Sequence, residues 1–187
     1  SHSPEASPAM RTLLRRALPL ALVSLTLAHP ALAQGSDDCA SATVIAGEGS
    51  FPFNTTTATT GPQGQYNCSG SNGIERDVWF SWAAPSTGYA TLSLCGGASF
   101  DTKVAAYAGG LCPTSSPLAC NDDSCGIQSV IGFPITIGSS YMLQVGSWPS
   151  APGGAGTFSL SIGPPPPPCG GSTGPDVIVG DLNGVMN

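Results

Sequence analysis

The sequence predicts an all-β fold, a two-sheet antiparallel β-sandwich of jelly-roll type that is stapled by disulfides. Apolar and polar residues alternate with a period of two in several short segments between residues 39 and 162, as half-buried strands require. Turn residues separate these segments at intervals of about 8–12 residues, which is the spacing of a sandwich. Glycine and proline are abundant, at 25 and 18 of 187 residues, and no segment after residue 33 shows a sustained helical period.

The alternation is clearest in five predicted strands and weaker in three more. The clear ones are residues 78–82, 90–94, 131–135, 141–145 and 158–162, and the weaker ones are residues 42–45, 50–54 and 102–107. Pro134 has no N–H to donate to a neighbour, so its strand is predicted to lie at an edge or to contain a bulge. About eight strands on ~125 residues are enough chain to bury one core.

Residues 10–33 have the pattern of a secretory signal peptide. Met10 opens a short basic stretch, an apolar run extends from Ala17 to Ala28, and residues 31–33 form the small-x-small pattern that a signal peptidase recognises. The apolar run is too short to span a bilayer, so we expect no membrane insertion after the signal is removed. The mature protein is therefore expected to begin at Gln34 and to be secreted from a bacterial cell.

The chain divides into four parts by composition. Residues 1–33 are the N-terminal extension and signal peptide, residues 34–162 the β-sandwich domain, residues 163–175 a Pro/Gly-rich linker, and residues 176–187 the start of a truncated downstream module. Five consecutive prolines within the linker are typical of a stiff spacer. This order predicts the N-terminal fragment of a larger secreted protein, whose downstream modules would be partners of the sandwich.

Charge excludes two classes of partner. From residue 34 onward the chain has ten acidic and two basic residues, which gives a net charge of −8. So few lysines and arginines cannot neutralise the phosphates of a nucleic acid, and an anionic membrane surface is disfavoured for the same reason.

Cysteine usage agrees with export. Six of the seven cysteines fall between residues 39 and 125, and in an oxidising compartment they are expected to form three bridges, for which 15 pairings exist. The favoured set is Cys39–Cys68, Cys95–Cys125 and Cys112–Cys120, the last because it closes a short loop. There is no CxxC motif, which disfavours a metal–thiolate site, and Cys169 is left without a partner in this set.

Histidine placement argues against an enzyme. The two histidines, His2 and His29, both precede Gln34, so neither a Ser-His-Asp nor a Cys-His arrangement fits into the mature chain. The alternative is a paired-carboxylate mechanism that uses Asp101, Asp122 and Asp123, as glycosidases use two carboxylates. Acidic residues beside Asn and Thr more often form turns or bind calcium, so a non-catalytic domain is predicted.

Several short motifs resemble the bacterial pre-peptidase C-terminal domain in a cysteine-rich form, over about residues 37–162. The motifs are residues 37–40 (DDCA), 77–80 (DVWF), 99–102 (SFDT), 119–123 (ACNDD), 141–145 (YMLQV) and 156–160 (GTFSL). The resemblance implies a non-catalytic jelly-roll sandwich of exported proteins, of which some members bind calcium through acids near the domain start or bind an insoluble polymer such as collagen. Here the domain follows the signal peptide directly instead of trailing a peptidase, which departs from the family pattern.

Calcium is the cofactor that the acidic residues predict. Calcium takes six to eight oxygen ligands, and Asn121, Asp122 and Asp123 lie in one loop, with Asp101 at the start of a predicted strand that would lie beside it. The resemblance brings in Asp37 and Asp38 as further ligands. The alternative is that Asp122 and Asp123 form an Asx turn and accept backbone hydrogen bonds.

Two tryptophans are candidate ligand-binding residues. Trp148 lies in a Gly/Pro/Ser-rich loop and Trp79 alternates away from its apolar neighbours, so both are candidates to stack on an extracellular polymer or a protein surface. The alternative is that both rings seal the edge of the core. Together these features predict an accessory or binding module of a larger secreted protein, or alternatively an N-terminal appendage that assists the folding, secretion or targeting of a secreted hydrolase or peptidase.

Overall fold

A computed structural model describes residues 34–165, which contain eleven β-strands. The strands are β1 Thr43–Ala46, β2 Gly49–Asn54, β3 Asn67–Cys68, β4 Ser71–Asn72, β5 Glu75–Ala83, β6 Gly88–Ser93, β7 Thr102–Ala108, β8 Ala119–Asn121, β9 Val130–Ile135, β10 Ser140–Ser147 and β11 Ala155–Gly163. The predicted signal peptide, most of the linker, Cys169 and the downstream module lie outside the described residues and stay predictions.

Two large sheets form the sandwich. One has the strand order β1-β5-β10-β7-β8, the other has the order β2-β11-β6-β9, and β3 and β4 form a separate hairpin. When β2 and β5 to β11 are counted from one to eight in chain order, the sheets become 2-7-4-5 and 1-8-3-6, which is the connectivity of a jelly roll. The predicted fold class is confirmed, and β1 extends one sheet by pairing parallel to β5.

All eight predicted strands are present. Strand β9, which contains Pro134, lies at the edge of its sheet, as the missing N–H requires. The sequence did not predict β3, β4 or β8, which are only two or three residues long. Such short segments cannot display a period of two, so their pairing depends on tertiary contacts.

The main core lies between the two sheets. Its largest side chains are fully buried and come from strands of both sheets: Phe53, Phe80, Trp82, Phe133 and Phe158. The Phe80 and Phe158 rings meet edge to face, with their centroids 5.1 Å apart. Burial of each such side chain contributes about 1.5–3 kcal/mol to folding, so this interface is the main source of stability.

A second, smaller core covers the outer face of the five-stranded sheet. The connection between β2 and β5 (residues 55–74), together with a 3-10 helix at Cys39–Ser41, lies on this face and buries Trp79, Tyr107 and Met142. The alternation predicted that Trp79 faces away from Phe80, and it does, but the ring is only 1 % exposed. The candidate role of Trp79 in ligand binding is therefore wrong and the alternative, in which its ring packs against the core, is correct, because residues 55–74 and the 3-10 helix cover it.

Three disulfides join the layers. The pairs are Cys39–Cys112, Cys68–Cys120 and Cys95–Cys125, with Cα atoms 5.5, 6.0 and 6.0 Å apart. The expected Cys95–Cys125 pair is confirmed, whereas the expected Cys39–Cys68 and Cys112–Cys120 pairs are wrong. Cys112 and Cys120 both pack against the second core, so each bridges outward to the covering segments instead of closing its own short loop.

The first and last residues of the sandwich lie at opposite ends of strand β2. The Gln34 carbonyl oxygen accepts a hydrogen bond from the Asn54 N–H at the last residue of β2. Strand β11 pairs antiparallel with β2, so that Leu160 lies beside Gly49 at the first residue. Within residues 34–165 no helix is long and apolar enough to cross a membrane.

The disulfide pairing predicts a simple digestion pattern. From residue 34 onward, trypsin can cut only after Arg76 and Lys103. With the observed bridges the three fragments stay linked after denaturing digestion without reductant, since Cys39 and Cys68 both pair with cysteines beyond Lys103. Mass spectrometry of the digest checks this. Release of residues 34–76 as a free fragment before reduction would instead indicate the Cys39–Cys68 and Cys112–Cys120 bridges.

Candidate functional site

Three carboxylates converge where strands β7 and β8 meet. Asp101 precedes β7, and Asp122 and Asp123 follow β8. These strands pair antiparallel, with Val104 opposite Asn121, so the start of one strand lies beside the end of the other. One carboxylate oxygen from each of the three residues lies within 4.8 Å of the other two. We call Asp101, Asp122 and Asp123 the acidic cluster.

The acidic cluster holds buried oxygens that have no hydrogen-bond donor. Asp122 is only 7 % exposed, Asp101 is partly buried and Asp123 is exposed. The Oδ1 atoms of Asp101 and Asp122 are both buried and have no hydrogen-bond partner. An unsatisfied buried acceptor costs about 1–3 kcal/mol, and more when it is charged, so the arrangement is unfavourable without a counter-charge.

The electrostatics of the acidic cluster agree with its geometry. Burial, and then the charges of Asp123 and Asp101, raise the pKa of Asp122 to about 6, although nearby Lys103 acts in the opposite direction. Burial and the charge of Asp123 also raise the pKa of Asp101. The proton affinity of Asp101 and Asp122 is thus raised by burial and by neighbouring negative charge, as in closely spaced carboxylates from which water is partly excluded.

The loop that carries Asp122 is fixed by buried hydroxyl groups. The Ser129 hydroxyl lies 2.5 Å from the carbonyl oxygen of Asp122 and 2.6 Å from that of Thr102. The Ser129 N–H donates to the Thr102 hydroxyl at 3.0 Å. The Cys95–Cys125 disulfide ties the same loop to the segment after β6. The backbone at Asp122 is therefore fixed by contacts that leave the carboxylate oxygens of this residue unused.

Asn121, a predicted calcium ligand, has a different partner set. Its Oδ1 atom accepts hydrogen bonds from the Ser124 hydroxyl at 2.6 Å and from the Val130 N–H at 3.2 Å. The side-chain oxygen of Asn121 thus closes the loop between β8 and β9 and supports the acidic cluster from outside.

The other two predicted ligands, Asp37 and Asp38, also lie apart from the acidic cluster. Asp37 accepts hydrogen bonds from the N–H and the hydroxyl of Thr59, at 2.6 and 2.9 Å. Asp38 caps the 3-10 helix by accepting from the Ala40 N–H at 3.0 Å. The structure therefore brings together three of the six acidic and amide residues that the sequence singled out.

Lys103 is a buried cation that the sequence analysis did not single out. It is 0 % exposed, and its Nζ atom donates to the carbonyl oxygen and the hydroxyl of Ser71, at 3.2 and 2.5 Å. Burial lowers the pKa of Lys103, and the nearby charge of Asp122 opposes this. The ammonium group lies 4.9 Å from the centre of the Trp148 ring. Trp148, which the sequence suggests as a ligand-binding residue, is half-buried and makes a cation–π contact with Lys103.

A buried polar network crosses the second core. The Tyr107 hydroxyl donates to Gln144 Oε1 at 2.8 Å, and Gln144 Nε2 donates to Asp77 Oδ2 at 3.0 Å. Burial raises the pKa of Asp77 to about 6, while its hydrogen bonds, led by that from Gln144, oppose the shift. Asp77 belongs to the DVWF motif and lies two residues before Trp79, so both side chains point to the same face of β5. An acidic residue at the start of this apolar segment is the sequence feature that could have indicated a buried carboxyl group.

Comparisons with known proteins give fold similarity only. No family model and no curated protein matches the chain. A periplasmic inhibitor of g-type lysozyme from Aeromonas hydrophila is 15 % identical, with 65 % of this chain and 96 % of that chain covered and a TM-score of 0.40. The pre-peptidase C-terminal domain of a Bacillus anthracis collagenase is 14 % identical, with 65 % and 93 % covered and a TM-score of 0.39. Membership of the family that the motifs resemble stays a prediction.

Removal of the Tyr107 hydroxyl is expected to destabilise the second core. Tyr107→Phe leaves Gln144 Oε1 buried without its donor, which costs about 1–2 kcal/mol. Urea denaturation measures the loss. Tyr66→Phe is the matched control, because its ring lies 6.2 Å from that of Tyr107 but is only partly buried. Equal stabilities of the two variants would contradict the role of the network.

The buried carboxyls predict an unusual pH dependence when chelator is present. The pKa values of Asp77 and Asp122 rise from 3.8 to about 6 on folding, so as the pH falls through 6 the folded state takes up protons before the unfolded state does. The free energy of unfolding is therefore expected to increase by about 1–3 kcal/mol between neutral pH and the ordinary carboxyl pKa. Denaturant midpoints at both pH values test this, and a lower midpoint in acid would contradict it.

Proposed function

We propose that this protein is a non-catalytic accessory module of a larger exported protein, which spaces its neighbours or binds an extracellular polymer or protein surface. One observation carries the proposal: most of the carboxylates in residues 34–165 are engaged in holding the fold. Five of the eight accept hydrogen bonds from backbone or side-chain donors: Asp37, Asp38, Glu48, Glu75 and Asp77.

Four of these five carboxylates connect segments that are distant in sequence, and Asp38 caps the adjacent 3-10 helix. Glu48 accepts from the Ile162 N–H at 2.7 Å across a separation of 114 residues, and Glu75 accepts from the Ser150 N–H at 3.1 Å across 75 residues. Asp37 joins Thr59 across 22 residues. The position of each of these carboxylates is therefore set by a donor from a distant segment of the fold.

Surface charge supports a protein or neutral polymer as the partner. Burial of Lys103 leaves Arg76 as the exposed basic residue of residues 34–165. Polyanionic partners are recognised through several basic side chains, so they are disfavoured. The three disulfides support an oxidising compartment, in agreement with the predicted signal peptide. The motif resemblance to pre-peptidase C-terminal domains points in the same direction.

The half-buried Trp148 ring is the proposed contact for an extracellular polymer. The chain from Gln34 to Asn187 is incubated with insoluble collagen, chitin, cellulose or peptidoglycan, and the amount bound is measured after sedimentation. Trp148→Ala is expected to reduce binding at least about tenfold, as loss of an interface tryptophan often does, while Trp148→Phe keeps a ring over Lys103 and retains part of it. Undiminished binding by Trp148→Ala would exclude this contact.

The same preparation tests the non-catalytic assignment. The chain is assayed for turnover of peptide and glycoside substrates, with Asp122→Asn in parallel. No turnover by either protein is expected. Turnover that disappears in Asp122→Asn would overturn the proposal and favour a carboxylate enzyme, since Asp122 belongs to the acidic cluster.

A further inference from the structure

The carboxylates of the acidic cluster do not hold segments of the fold together, as the other five carboxylates of residues 34–165 do. In residues 34–165 the acidic cluster contains the three carboxylates that remain after the five bracing ones, and all three lie together. Two of its oxygens are buried without a donor, and Asp122 as a whole is more than nine-tenths buried. Three negative charges at this spacing repel one another strongly where water is scarce, so at neutral pH a positive charge bound between them stabilises the arrangement.

We propose that Asp101, Asp122 and Asp123 bind a calcium ion. All the donor atoms are carboxylate oxygens, which a hard cation prefers over the nitrogen and sulfur ligands of zinc or copper. Three carboxylates supply between three and six oxygen ligands, and water completes a coordination number of six to eight. The exposed side chain of Asp123 leaves one side of the site open to solvent, which provides both the entry path and room for bound water.

Lys103 does not provide the required charge by direct contact. Its ammonium group is directed to Ser71, where it donates two hydrogen bonds, and it lies over the Trp148 ring. The Oδ1 atom of Asp122 remains without a hydrogen bond in spite of this neighbour. A cation bound by the carboxylates would satisfy both buried oxygens at once.

The frame around the acidic cluster favours binding because it exists before the ion arrives. The Ser129 hydroxyl fixes the backbone at Asp122, the Asn121 side chain closes the following turn, and a disulfide ties that loop to the segment after β6. The Trp148 N–H donates to the Asp101 carbonyl oxygen at 3.2 Å and fixes the other side. Preorganisation of this kind lowers the ordering cost of binding and so increases affinity.

This site differs from the one that the motif resemblance implies. That resemblance places calcium at the acids near the domain start, but Asp37 and Asp38 are occupied with Thr59 and with the 3-10 helix. The two locations can be separated by single substitutions, because Asp38→Asn preserves helix capping while it removes the same charge.

Thermal melting of the chain from Gln34 to Asn187 tests the proposal, first with chelator and then with excess CaCl2 or MgCl2. Calcium is expected to raise the melting temperature by about 5–10 °C at saturation, because a ligand that binds only the folded state stabilises it by mass action. Magnesium is expected to have a smaller effect, since it releases its water reluctantly. Isothermal titration calorimetry then measures the stoichiometry, with one ion per chain as the expected result.

Single substitutions assign the site. Asp123→Asn changes an exposed side chain, so the variant is expected to fold and to lose at least about tenfold in calcium affinity, equivalent to the loss of one charged ligand. Asp122→Asn is expected to abolish the calcium-dependent shift and, in chelator, to melt no lower than the parent, because it removes a buried charge. Asp38→Asn is expected to retain the full shift.

Two results would overturn the proposal. A parent chain whose melting temperature and calorimetric trace do not respond to calcium overturns the proposal. A response that survives in Asp122→Asn and Asp123→Asn but disappears in Asp38→Asn also overturns it and places the ion at the domain start. Because the readout is metal binding, this outcome is independent of whether the module binds a polymer or accompanies an enzyme.

Discussion

The structure depends on the attachment of residues 55–74 to the outer face of the five-stranded sheet. That sheet is apolar on both faces, since Trp79, Tyr107 and Met142 point away from the main core. A two-layer sandwich alone would leave these side chains in water. The Cys68–Cys120 disulfide, the Lys103–Ser71 hydrogen bonds and the hydrogen bond from the Tyr107 hydroxyl to the Gly64 carbonyl oxygen fasten this segment to the sheet, and the Cys39–Cys112 disulfide fastens the neighbouring 3-10 helix. The covalent and polar bonds therefore concentrate where the packed apolar area is smallest.

Features that depend on neighbouring residues in the sequence were predicted, whereas features that depend on contacts between separate segments were not. Alternation within a strand is local, so the faces of the strands and the edge position of Pro134 were predictable. The burial of Trp79 depends on residues 55–74 and on the 3-10 helix at Cys39–Ser41, and the alternation within its own strand does not indicate that these segments cover it. Two of the three expected disulfide pairs were wrong for the same reason, because Cys112 and Cys120 are close in sequence yet each faces a different covering segment.

The acidic cluster shows a mixed result with a clear physical cause. Asp101 and Asp122 were placed together from the expectation that the strand that begins at Asp101 lies beside the loop of Asp122. The antiparallel pairing of β7 with β8, a strand that the sequence did not predict, brings them together. Asp37, Asp38 and Asn121 have the right chemistry but engage nearby donors instead. Composition identifies residues that are able to bind a cation, whereas the hydrogen bonds determine which of them are free to do so.

The opposite positions of Gln34 and Gly163 along strand β2 have a mechanical consequence. A pull on Gly163 acts along β11 and loads the β2–β11 and β11–β6 hydrogen bonds together in shear, whereas Gln34 is held by its hydrogen bond to Asn54 and by the bridge between Ser36 and Trp79. Sheets resist sliding better than peeling, because many bonds must break at once. The strand contributes a rigid length of about 20 Å between the two attachment points, at roughly 3.3 Å per residue. Strand β11 is thus placed to resist a pull on its C-terminal end.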